Sequence, residues 1–105
     1  MIRHLVTFRF TDGMTAGAIA AISCALGALP ARIPALREYS FGPDLGLAAA
    51  NGHYAITAVV DDEAGLAAYM EHPDHVRVAR ELIDPYASAV LAVQIVVPRS
   101  AQWGG

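Results

Sequence analysis

The sequence predicts an α+β domain, and three observations carry that expectation. Ile2 to Phe10 alternates, with Ile2, His4, Val6, Phe8 and Phe10 on one side and Arg3, Leu5, Thr7 and Arg9 on the other, as a half-buried strand does. Other stretches follow helical spacing, such as Ile19, Ile22, Leu26 and Leu29. The run from Val90 to Val97 is apolar except for Gln94, which suits a strand covered on both faces. At 105 residues the chain is expected to form one domain with a modest core.

The elements follow in order. Asp12-Gly13 ends the first strand, and Thr15 caps the helix that carries Ile19 to Leu29. Pro30 and Pro34 bracket a short connection to a second strand, Leu36 to Phe41, which Gly42-Pro43-Asp44 ends. Leu45 to Ala50 reads as a loop and Asn51-Gly52 as a tight turn. His53 to Val60, rich in β-branched and aromatic residues, is the third strand. Asp61 or Asp62 caps a second helix with Leu66, Tyr69 and Met70 on one side. Pro73 interrupts it, and Asp74 caps a third helical segment bearing Val76, Ala79, Leu82, Ile83 and Tyr86, closed by Asp84-Pro85. After the last strand, Pro98 to Gly105 is expected to be a flexible tail with Trp103 as its anchor, so the domain spans 1–97 and the tail 98–105.

This order, βαββαβ with a split second helix, is the ferredoxin-like arrangement: a four-stranded antiparallel sheet with helices on one face. To the other face the pattern assigns Leu5, Thr7, Tyr54, Ile56 and part of the last strand, too apolar to stay wet. Two such sheets packed face to face make a dimeric α+β barrel.

Composition narrows the function. Hydrophobic residues are 55% and charged residues 16% of the chain, which favours burial against a second copy or around an apolar ligand. The net charge is −3, every basic residue is Arg, and no basic run exists, so neither nucleic acid nor an anionic membrane is an expected partner. Arg3, His4 and Arg9 interrupt any leading apolar stretch, so no signal peptide is expected and the cytoplasm is the default location. The single Cys24 excludes a disulfide framework and reads as a buried, inert thiol.

The chemistry concentrates in Tyr69-Met70-Glu71-His72-Pro73-Asp74-His75. His75, in the first turn of the third helix, feels the positive end of the helix dipole, which disfavours its protonated form. A neutral imidazole near pH 7 accepts a proton, and a phenol such as Tyr69 donates or relays one. His4, on the apolar face of the first strand, should point toward this corner, where His72 either caps the end of its helix or orients His75. A metal site is not expected: Pro73 bends the His72-x-x-His75 spacing, Glu71 and Asp74 should face solvent, and no Cys joins them. No glycine-rich phosphate loop is present, so no cofactor is expected either.

Three stretches make the chain resemble the stress-responsive A/B barrel (Dabb) family: the first strand, Met1-Ile2-Arg3-His4-Leu5-Val6-Thr7-Phe8-Arg9-Phe10; the helix exit and second strand, Leu29-Pro30-Ala31-Arg32-Ile33-Pro34-Ala35-Leu36 with Tyr39-Ser40-Phe41-Gly42-Pro43-Asp44; and the His-Pro-x-His corner, Tyr69 to Val76. The resemblance implies a dimeric α+β barrel. It extends to olivetolic acid cyclase-type members, which close a linear polyketide by aldol chemistry without a cofactor, and to a hydroxynitrile lyase with the same barrel. In the cyclase a corner His acts as base with a Tyr of the preceding helix, positions matched here by His75 and Tyr69. His4 and His72 match the first-strand His and the first corner His. One departure is Ala55, taken to stand where that pattern has a third-strand His.

The resulting expectation is a homodimer binding a small apolar carbonyl compound between sheet and helices, lined by Val6, Phe8, Ile19, Ile22, Leu26 and Met70. His75, Tyr69, His4 and His72 would supply acid–base catalysis of a polyketide cyclase-like aldol closure or a lyase reaction. The alternative is a stress-responsive or ligand-binding dimer without catalysis.

Overall fold

The computed structural model describes residues 1–98; the remaining tail with Trp103 lies outside the described residues. The elements are β1 (Ile2–Phe10), α1 (Ala16–Gly27), β2 (Glu38–Pro43), β3 (Tyr54–Val60), α2 (Glu63–Met70), α3 (Pro73–Val78), a π-helical turn Ala79–Ile83, and β4 (Ala87–Val96). The sheet runs β2-β3-β1-β4 with every neighbouring pair antiparallel. That order and its two crossovers are the ferredoxin-like topology.

Local chemistry sets the helix starts. The Thr15 hydroxyl accepts from the Ala18 amide at 3.1 Å, and the Asp62 carboxylate from Gly65 at 2.8 Å. Asp61 instead pairs with Arg37 at 2.9 Å. The second strand starts two residues later than its sequence pattern suggests, because Leu36 closes a turn on the carbonyl of Ile33. It ends later too, since Pro43 is tolerated on an edge strand.

Register decides what lies on each face. Val6 pairs with Ile56 and Phe8 with Tyr54, so Tyr54 and Ile56 lie on the helix side, not on the open face as expected. There Val6, Phe8, Phe10, Tyr54 and Ile56 meet Ile22 and Leu26 of α1, with Leu29 and Ile33 after it, in one buried core. The open face carries Leu5, Thr7 and, from β4, Leu91, Val93 and Ile95. Val59 belongs to that face yet is buried, flanked in its row by Arg3 and Glu38, whose ion pair measures 3.6 Å.

Two expectations fail here. β4 is an edge strand covered on neither face: Leu91 is 75% and Val96 84% exposed. An apolar run signals cover, and a single copy does not supply it. Cys24 is exposed, because α1 turns Ile22 and Leu26 to the sheet and Cys24 falls on the opposite side. Among the described residues no helix is long and apolar enough to cross a membrane.

Ile22, fully buried, packs in the core. Its replacement by Ala should cost about 2–5 kcal/mol of unfolding free energy. Urea unfolding followed by circular dichroism measures this, and a loss well under 1 kcal/mol would contradict the packing.

Candidate functional site

The site begins with a broken helix. In an unbroken helix the Asp74 amide would donate to the Met70 carbonyl. Pro73 bends the chain between them, leaving an orphan donor and an orphan acceptor. His72 and His75 take up one each. Nδ1 of His72 accepts from the Asp74 amide at 3.1 Å, which makes His72 the N-cap of α3. Nδ1 of His75 lies 3.1 Å from the Met70 carbonyl. Asp74 is therefore not the cap: Pro73 occupies the first helical position, so the cap falls one residue before it. Nor is Asp74 fully solvated, since it bridges Arg32 at 3.5 Å and Arg77 at 3.3 Å.

A carbonyl only accepts, so Nδ1 of His75 must donate. In the neutral ring the lone pair is then at Nε2, free to act as a base. Burial, the largest cause, and the nearby imidazole of His72 lower the pKa of His75 from 6.5, against the opposing pull of the Met70 carbonyl. Desolvation is the main cause that favours the neutral imidazole.

Tyr69 descends from α2 between His75 and the sheet and is 1% exposed. Its ring centroid lies 4.4 Å from that of His75 and 6.3 Å from that of His4, the latter edge-on. Beneath it runs one cross-strand row of the sheet: Tyr39, Ala58, His4 and Gln94. Ala58 in the middle of that row leaves room for a phenol ring. The Tyr39 and Tyr69 hydroxyls are 3.1 Å apart. Burial raises the pKa of Tyr69, so it remains a neutral phenol. Tyr39 is pushed far above the usual phenol range, first by burial and then by its proximity to Tyr69. His4 is buried, and desolvation followed by the charge of His75 lowers its pKa.

These groups open on a cavity of about 220 Å³ between the sheet, α1 and the α3 region. His4, Tyr69 and His75 line it with Val6, Phe8, Leu26, Ile56 and Met70, and the π-helical turn contributes Ala79 and Ile83. Of the residues expected from sequence, Ile19 and Ile22 pack in or against the core outside this lining, and His72 stays at the corner. Sequence reasoning missed Tyr39, Gln94 and the π-helical turn. Strand phase puts Tyr39 on one face of its strand but does not pair it with Ala58, which takes the register; nothing in the sequence marks the turn. Register sets the faces of the third strand. Ala55 pairs with Thr7 on the open face, and the helix-side residue is Tyr54, hydrogen-bonded to Ser23 at 2.8 Å. His53 is used structurally, its Nδ1 accepting from the Phe10 amide at 2.7 Å. Among the described residues, no group of three or more His, Cys, Asp or Glu could hold a metal ion.

Residues 2–97 match the stress responsive A/B barrel domain (Dabb) family. The chain belongs to this family. A Dabb protein from Mesorhizobium loti with a ferredoxin-like fold superposes at a TM-score of 0.75, with 20% identity over 92% of this chain and 96% of that one. A dimeric ferredoxin-like protein of unknown function from Thermobifida fusca is 43% identical over 91% of this chain and 90% of its own, at a TM-score of 0.86. The hydroxynitrile lyase of Passiflora edulis is similar in fold, at a TM-score of 0.79, with 20% identity over 94% of both chains. Among curated proteins none matches the sequence.

The two depressed imidazoles link stability to pH. The folded chain binds fewer protons than the unfolded one at these sites, so their contribution is fully present above the unfolded value of 6.5. It declines as pH falls below that value and is gone beneath the folded pKa values. Urea unfolding at pH 8, 7, 6 and 5 should show this decline. His75→Gln should flatten it, and an unchanged slope would refute the assignment.

Proposed function

We propose that the protein binds a small, uncharged, largely apolar carbonyl compound in this cavity and acts on it by acid–base catalysis without a cofactor. The chemistry is of the aldol-cyclase or lyase kind. One observation carries the reading: a base whose tautomer is fixed by the helix break lies against a buried phenol, and both line the same apolar cavity. No Lys or Arg lines it, so a carboxylate or phosphate on the ligand would lack a counter-charge. The volume of about 220 Å³ exceeds the roughly 150 Å³ that accommodates benzene, which suits one ring or a short chain.

In the reaction, Nε2 of His75 removes a proton from the carbon beside the carbonyl. The C–H pair becomes the C=C bond of an enolate, the carbonyl π pair moves to oxygen, and Tyr69 hydrogen-bonds that oxygen. His4 and His72 complete the arrangement, His4 from the cavity wall and His72 by holding the corner. The Passiflora protein, a hydroxynitrile lyase of similar fold, is in keeping with the lyase side of this class. The probe is 2-indanone, a compact uncharged ketone whose α-hydrogens exchange into D2O. His75→Ala and Tyr69→Phe should each slow protein-catalysed exchange by about 10²-fold or more. If both variants fold and exchange as the parent does, the catalytic reading is lost.

The second reading, a stress-responsive or ligand-binding dimer without catalysis, is favoured by the hydrogen bonds that His72 and His75 already make at the corner. Under it the parent would bind 2-indanone yet leave exchange at the buffer rate.

The homodimer and a cytoplasmic location belong to both readings. Leu91, Val93 and Ile95 form an exposed apolar stripe on the open face, and the Thermobifida relative is described as dimeric. Sedimentation should find a dimer at micromolar concentration, and Leu91→Asp with Val93→Asp should yield a folded monomer. A monomeric parent would refute the pairing.

A further inference from the structure

Gln94 is the one polar residue in the apolar run of β4, and the mechanism above gives it no part. Register puts it directly opposite His4 on the helix side of the sheet. Its amide nitrogen, Nε2, lies 2.8 Å from Nδ1 of His4. An amide nitrogen only donates, so Nδ1 of His4 accepts and the neutral ring must carry its proton at Nε2. This is the reverse of His75, whose Nδ1 donates to the Met70 carbonyl. Two imidazoles lining one cavity are thus held in opposite tautomers by two different neighbours.

We propose that Gln94 is a positioning residue that keeps His4 as the Nε2–H tautomer, giving the cavity a hydrogen-bond donor on its sheet wall opposite the base on its helical wall. The inference rests on the proposed function for its consequence and not for its geometry. A site so divided selects a ligand with a carbonyl oxygen on one side and an acidic C–H on the other: an uncharged ketone or aldehyde bearing an α-hydrogen. The proton passes from that carbon to Nε2 of His75, and the charge that develops on oxygen is met by His4 Nε2–H alongside Tyr69. An imidazole free to change tautomer would spend part of its time presenting a lone pair to that oxygen.

The alternative role for Gln94 is to satisfy a buried imidazole with no bearing on its tautomer. Long-range 1H–15N correlation of the histidine rings at pH 8, with the His4 signals assigned by their loss in His4→Asn, separates the two. The parent should show His4 as the Nε2–H form. Gln94→Glu places an acceptor where a donor stood and should convert His4 to the Nδ1–H form, with a fall of about 10²-fold in 2-indanone exchange. Gln94→Leu, which removes both donor and acceptor, should leave a mixture of tautomers. A parent His4 protonated at Nδ1, or a His4 pattern unmoved by either substitution, overturns the proposal. Because the ring nitrogens are read without turnover, this result is separable from the exchange test of His75 and Tyr69.

Discussion

A single helical hydrogen bond that cannot form organises the corner on which the site is built. Pro73 separates the Asp74 amide from the Met70 carbonyl, leaving a donor and an acceptor without their helical partners. His72 and His75 take the two halves of that bond at 3.1 Å each. The substitution does more than repair the backbone. It fixes which nitrogen of His75 holds the proton, aims the lone pair away from the helix break, and keeps the ring against Tyr69. Structural satisfaction and chemical readiness arise from one contact.

The sheet supplies the complementary wall. One cross-strand row places Tyr39, Ala58, His4 and Gln94 side by side under the Tyr69 ring. The small side chain at Ala58 lets the phenol approach, and the two polar flanks then engage what approaches: Tyr39 reaches the Tyr69 hydroxyl and Gln94 the His4 ring. Desolvation acts on His4, Tyr69 and His75 in the same sense, toward the neutral form. The cavity is walled by two imidazoles, the Tyr69 phenol and apolar side chains, with Asp84 its one carboxylate and no cationic side chain, in keeping with an uncharged, mostly apolar ligand.

Much of the fold was legible in advance because alternation and helical spacing are local consequences of burial. β1 and α1, the Thr15 cap and the Pro73 corner could all be read from neighbouring residues. Misreadings occurred where a distant partner decides the outcome. Tyr54 and Ile56 take their face from pairing with β1; the late start of β2 is instead a local effect, Leu36 closing a turn on Ile33. Cys24 lies among alanines that pattern alone reads as buried, yet α1 turns it outward. For the site, sequence brought His4, Tyr69 and His75 together as candidates but left out Tyr39 and Gln94, whose significance exists only across strands.

What the sequence determined by itself was therefore the set of elements, the family and the corner chemistry. Residue spacing sets which side chains share a face of one element, and a proline stops a helix wherever it stands. The tertiary structure alone decided the register of the sheet, the tautomers of the two imidazoles and the cavity between them. The register, the His4 tautomer and the cavity depend on partners far away in the chain, about which local patterning carries no information; the His75 tautomer rests on the nearby Met70 carbonyl, which meets the ring only in the folded corner.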